Sequence, residues 1–186
     1  MKLPVITVMK VGDETVSSDA IREMIKSSDR VSALLGVSLI EARLETILKK
    51  IFVKNAKEVD NLFSDYQLLS GFYPKLSIAR ALNIISAEAF LDLKSIGSIR
   101  NMMAHNIAMS SFGNEKIAQR CLTLRLPERH AQFVTSMRKW VDAIPDNSWA
   151  NELADPRTRF VSSVVLAFWK LSDEAYKKRV PDTPCI

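Results

Sequence analysis

"SDRVSALLGVSLIEARLETILKKIFV", Ser28 to Val53, is the stretch on which the fold turns. Setting each residue about 100° further round an ideal helix places Val37, Ile40, Leu44, Ile47, Leu48, Ile51 and Phe52 on one stripe. A long core-facing helix is therefore predicted. One polar side chain, Glu41, interrupts the stripe. A carboxylate enclosed by apolar groups is costly unless it finds a donor, so the sequence should supply a buried cation elsewhere.

On either side of this helix the chain continues in helical segments. The first 16 residues alternate Val5, Ile6, Val8 and Val11 with polar neighbours, as a short edge strand or ordered arm over 1–16 would. Ser17-Ser18-Asp19 offers N-cap chemistry for a short helix ending near Ser28. Beyond the long helix, "AKEVDNLFSDY" suggests another short one, followed by a turn at "SGFYP", with Pro74 starting "KLSIARALNIIS". That segment should bury Ile78, Ala79, Leu82 and Ile85. Ser86 is placed to cap "AEAFLDLKSIGSIRNMMAHNIA", on which Ala89, Leu93, Ile96, Ile99, Met103 and Ile107 share a face and Gly97 offers a point of kinking. "SSFGNE" closes it, and "KIAQRCLTLRLP" reads equally as helix or extended chain. Pro127 should open a helix through "ERHAQFVTSMRKWVDAI", and Pro156 the last one, whose basic end suits the negative end of the helix dipole. The expectation is a mainly α protein of about six or seven helices, one bundle over residues 17–186.

Composition narrows the class. Hydrophobic residues make up 47% of the 186 and charged residues 25%, with 5 Gly and 7 Pro, as in a folded globular chain. Cys121 and Cys185 cannot build a disulfide framework, which fits a reducing compartment. The first apolar run is too short for a signal peptide, and "VSALLGVSLI" and "FVSSVVLAFW" are half of the roughly 20 residues a membrane span needs. A cytoplasmic protein with no membrane partner is expected. The net charge of +5 permits nucleic acid without demanding it. No His or Cys spacing suits a metal, and the 5 glycines are scattered singly, which excludes a phosphate loop. Hence neither metal nor cofactor is expected.

The chemistry concentrates in "SIRNMMAHN", Ser98 to Asn106. On the wheel Arg100 lies inside the apolar stripe, as does Asp92 at its edge, so a buried charge network of Glu41, Asp92 and Arg100 is one reading. His105 would then lie about 140° from Arg100, beside Asn101, and interact with the last carbonyls of the helix. A break at Gly97 or after Asn101 would instead bring Arg100 to His105. Arginine as phosphate clamp and histidine as proton carrier are the minimum for cleaving RNA through its own 2′-hydroxyl, and a two-fold dimer would supply the second histidine. Arg120, Arg125, Arg129, Arg138 and Lys139 form either a phosphate-binding surface, with Trp140 stacking a base, or a solvated face. Phe160, Val164, Val165, Phe168 and Trp169 complete the core or a dimer interface.

"RNMMAH" resembles the Arg-x4-His motif of the HEPN superfamily of helical domains. "SDRVSALLGVSLIEARLETIL" and "KLSIARALNIISAEAFLDLKSIGSIRNMMAHN" together resemble the mannitol-operon repressor family, related to that superfamily, over residues 28–125 at most. The resemblance implies a HEPN-like bundle and two activities. HEPN members with an intact motif are often metal-independent endoribonucleases, frequently dimeric, with residues matching Arg100, Asn101 and His105 in a composite site. The repressor-like proteins regulate transcription without a recognisable DNA-reading module. No helix-turn-helix is evident here, so regulation would run through a protein partner such as a transcription factor, with direct DNA binding not expected. The expectation is a homodimeric regulatory protein, the rival being a ribonuclease acting on single-stranded RNA.

Overall fold

The structure, a computed structural model, describes residues 18–52, 57–130 and 152–176. They form α1 (Ser18–Lys26), α2 (Asp29–Ile51), α3 (Lys57–Phe63), α4 (Phe72–Ala81), α5 (Ala87–His105), α6 (Glu115–Leu122), a four-residue turn α7 (Leu126–Arg129) and α8 (Pro156–Tyr176), with no strand among the described residues. The all-helical expectation holds. The N-terminal arm over 1–16, and Arg138, Lys139 and Trp140, lie outside the described residues. Among those described, no helix is long and apolar enough to cross a membrane.

Helix α2 is the spine, packed against α1, α4, α5 and α8. Val37, Ile40, Leu44, Ile47 and Leu48 are buried as the stripe predicts, each such side chain contributing about 1.5–3 kcal/mol. Ser32, Ala33, Gly36 and Arg43 are buried with them, which turns the true buried face roughly 40° from the stripe drawn through large apolar residues alone. The cause is α8. A Cβ at Gly36 would come within 3.2 Å of both methyls of Val164, so the small residues of α2 form the seat on which α8 rests. Phe160, Val164, Val165 and Phe168 line that contact from the other side, which places them in the core of the single chain.

Helix α5 is the second wall. The Ser86 hydroxyl accepts from Ala89 N–H at 3.1 Å, the cap that its sequence announced. Ala89, Leu93, Ile96, Ile99 and Met103 are fully buried. Ile107 is 87% exposed, because the helix stops at His105 and the Asn106 carbonyl, with that of Ile107, accepts instead from the Arg30 guanidinium at 3.0 and 3.2 Å. Nor does Gly97 kink α5, which runs unbroken through it. Its role is a notch: a Cβ there would lie 2.7 Å from Phe72 Cε1 and 3.0 Å from the Tyr73 hydroxyl. Glycine lets α4 approach α5 at ring distance.

Local chemistry explains the other boundaries. Helix α4 begins at Phe72 with Pro74 in its first turn, where no backbone donor is needed, and ends at Ala81. Asn83 then adopts φ 57° and Ile84 N–H donates to Ala79 O at 2.9 Å, so Ile85 is buried from a turn outside the helix. The ambiguous "KIAQRCL" is helical because Asn114 accepts from Lys116 N–H at 3.2 Å and Ile117 and Cys121 share a buried face. Asp29 fastens the far end of α2, accepting from Ser111 Oγ and Phe112 N–H at 2.9 Å each and pairing with Arg157 of α8.

Replacing Gly97 by alanine tests the notch. Alanine gains about 1 kcal/mol of helix propensity, but the clash with Phe72 should dominate, leaving the variant about 1–3 kcal/mol less stable in denaturant unfolding. A variant as stable as the parent would show that the two helices do not meet at Gly97.

Candidate functional site

Glu41 finds its cation, but from a different helix than expected. Lys75, 3% exposed on α4, places Nζ 2.9 Å from Glu41 Oε1 and 2.8 Å from Glu45 Oε2, and Lys49 reaches the other Glu45 oxygen at 2.8 Å. Glu41 stands at the rim of the rotated α2 face, towards α4, out of the way of Arg100. Burial lowers the pKa of Lys75, yet the two carboxylates outweigh it and hold the ammonium above its usual value. Burial likewise raises Glu45, and its two lysines more than reverse that.

Asp92 also has other partners. Buried at 5% exposure, it accepts from the N–H groups of Arg125 and Leu126 at 2.9 and 2.6 Å, and Arg129 Nη1 lies 3.8 Å away. It is the carboxylate that starts α7. Burial pushes its pKa up in spite of these donors. Glu41, Asp92 and Arg100 therefore do not form one network: Glu41 and Asp92 are each satisfied separately, and Arg100 pairs with neither.

Arg100 lies on the inner side of α5, half-buried, with its Nε enclosed and lacking an acceptor. His105, the last residue of α5, is exposed, and Asn101 is half-buried. Because the helix is continuous from Ala87 to His105, Arg100 and His105 stay about 140° apart around it. One chain does not bring the two together. The other histidine, His130, is half-buried, its pKa lowered by burial and by Lys170 and Arg129. The Cys121 thiol is enclosed, and burial pushes its pKa up to about 12, so it is not a nucleophile.

Tyr73 of α4 meets α5 at Gly97, one turn before Arg100. Burial raises the Tyr73 pKa, while Arg100 and Arg120 both pull it back. Tyr73 is held edge-on against Phe72, with ring centroids 5.5 Å apart, over the Gly97 notch. Of the expected basic surface, Arg125 lies 3.8 Å from Glu128 and Arg129 is turned to Asp92, whereas Arg120 has no ion pair among the described residues. Sequence reasoning passed over Tyr73, which carried no motif; its place just before Pro74 was legible, but its approach to Gly97 was not. It also passed over Arg43, 2% exposed with its guanidinium 4.5 Å from the Phe168 ring centroid, although Arg43 shares a helical face with Ile40 and Ile47.

No protein-family model and no curated protein matches the chain. A solved structure does: a possible transcriptional regulator, YggD, from Shigella flexneri 2a str. 2457T is similar at a TM-score of 0.60 and 14% identity, over 82% of this chain and 96% of that one. The likeness is one of fold.

The buried lysine gives a pH test. The lowered pKa of Glu45 means that its contribution is present above its ordinary 4.5 and is lost as pH falls through the folded value; that of Lys75, raised above 10.5, persists through neutrality. Lys75→Met should cost about 1–3 kcal/mol at pH 7, allowing for the partly exposed carboxylates, and the gap to the parent should close below about pH 4. Urea unfolding across pH checks this; a gap unchanged at pH 3 would contradict it.

Proposed function

We propose that this chain is a regulatory protein, similar to the mannitol-operon repressors, that acts on transcription by binding a protein partner and does not itself read DNA. The observation that carries the reading is the likeness to a possible transcriptional regulator over nearly the whole of that protein, on a fold in which the most suggestive couple is split. Arg100 and His105 leave α5 on different sides, which speaks against this pair acting together within one chain. Of the basic residues weighed for a phosphate surface, Arg125 and Arg129 face carboxylates of their own chain. The protein works in the cytoplasm as a homodimer, its partner a transcription factor or similar DNA-binding protein.

The second reading is a metal-independent ribonuclease of the HEPN kind using Arg100, Asn101 and His105. What favours it is that Arg100 has no carboxylate partner among the described residues while His105 is exposed, so a second copy could supply the missing half of the site.

Three measurements separate the readings. The purified protein should retain no duplex from a random-sequence DNA pool at physiological salt, and should leave single-stranded RNA intact in EDTA, while cross-linking in its own cells captures a DNA-binding protein. RNA cleavage that disappears in His105→Ala would establish the ribonuclease. Sequence-specific duplex retention by the pure protein would overturn the indirect mode of regulation.

A further inference from the structure

We infer that the outer face of α2, with Ile107 beside its start, is the surface through which two copies of this chain pair, antiparallel and about a two-fold axis near Ser38. The inference rests on the homodimer of the regulatory reading and gives it a surface; it does not depend on Arg100 or His105.

Helices α1, α4, α5 and α8 pack around α2, yet Val31, Leu34, Ser38 and Ala42 are exposed, with Leu35 and Leu39 half-buried beside them. On an ideal helix these six fall within an arc of about 140°, along about 18 Å of axis. No charged residue occurs between Arg30 and Glu41. A surface helix ordinarily turns its charged side chains to water, and this half of α2 turns leucine and valine there instead. The polar side chain among the six is already satisfied, because Ser38 Oγ donates to Leu34 O at 3.0 Å. Covering the face therefore strands no side-chain donor.

Ile107 extends the patch. Its side chain is 87% exposed, but its backbone is tied down: the carbonyl accepts from Arg30 at 3.2 Å, Ala108 N–H donates to Asn106 Oδ1 at 3.0 Å and Met109 N–H to Asn106 O at 3.1 Å. Arg30 lies one helical turn before Leu34, so this turn holds the isoleucine at the N-terminal end of the same face. An apolar group fixed in place before it is covered loses little freedom on association.

Three features select a second copy as the occupant. Whatever covers this face must itself be free of charge there, a condition that the same face on another molecule meets. The small residues Ser38 and Ala42 stand among larger ones, so a two-fold copy brings Leu34 of one chain to the level of Ala42 of the other, large against small. The antiparallel sense follows from charge: it lays the first turn of one α2, with Asp29, beside the last turn of the other, with Lys49 and Lys50, and sets the two helix dipoles against each other. A face of this length puts the contact at the small end of specific interfaces, below about 1,200 Å² in all, with a dissociation constant on the order of 10 μM.

Sedimentation velocity of the full chain from about 1 to about 300 μM tests this, and the parent should pass from monomer to dimer over that range. Ser38→Glu and Ser38→Lys alter an exposed position, so each should keep the parent's helical circular dichroism while weakening pairing at least about tenfold by setting like charges at the axis. An equimolar mixture of the two variants should recover the dimer, as a second copy on this face requires. Ile107→Asp should weaken pairing about threefold, and Leu68→Glu, exposed on the turn between α3 and α4, should leave it unchanged. A parent still monomeric at the highest concentration overturns the proposal. So does a mixture that associates no better than either variant alone, the result expected if another segment of the chain or a different protein covers the face. A dimer kept in Ser38→Glu but lost in Leu68→Glu overturns it while leaving the homodimer standing. Partner capture in cells is read separately, so the regulatory reading can fail without touching this result.

Discussion

The close seat of α8 on α2 is the contact from which the rest of the arrangement follows. At Gly36 the two helices approach until an added Cβ would lie 3.2 Å from both Val164 methyls, tighter than ordinary contact. That closeness buries Ser32, Ala33 and Arg43 along with the expected leucines and isoleucines, and it rotates α2 so that Glu41 reaches the rim. At the rim Glu41 meets Lys75, which fixes the inner face of α4. With α4 so turned, Phe72 and Tyr73 are delivered to Gly97 of α5. Interiors packed at crystal-like density pass such displacements on instead of absorbing them.

The helices themselves were legible because their signals are local. Ser86 capped α5 as expected, Pro156 opened α8, and the stripe on α2 identified five core residues correctly. What the periodicity misjudged was rotation. A hydrophobic stripe weights large side chains, whereas helix approach is set by small ones, so Gly36 and Gly97 decided packing while reading as neutral or as breaks. Ile107 was assigned to a face it never reaches because the end of α5 is set by Arg30, distant in sequence. Partners separated by many residues leave no mark on a single sequence.

The same distinction governs the candidate site. The inward position of Arg100 and the outward one of His105 could be read from spacing, and a continuous α5 preserves both. The charge partners could not: Glu41 and Asp92 were recognised as needing donors, yet the donors proved to be a lysine from α4 and two backbone N–H groups at α7. Once those carboxylates are satisfied elsewhere, Arg100 is left without an ion pair among the described residues, its Nε enclosed and without an acceptor. The histidine that completed its motif stands on another face of the helix.

The claim beneath all of this is that α5 runs straight through Gly97 and keeps Arg100 apart from His105. Proton NMR of the labelled protein tests it most directly. Unbroken helical connectivities from Ser95 to His105, with a strong nuclear Overhauser contact between the Gly97 α-protons and the Phe72 ring, are the predicted result. A break in those connectivities after Gly97, together with a contact between the Arg100 side chain and the imidazole of His105 in the same chain, would contradict it.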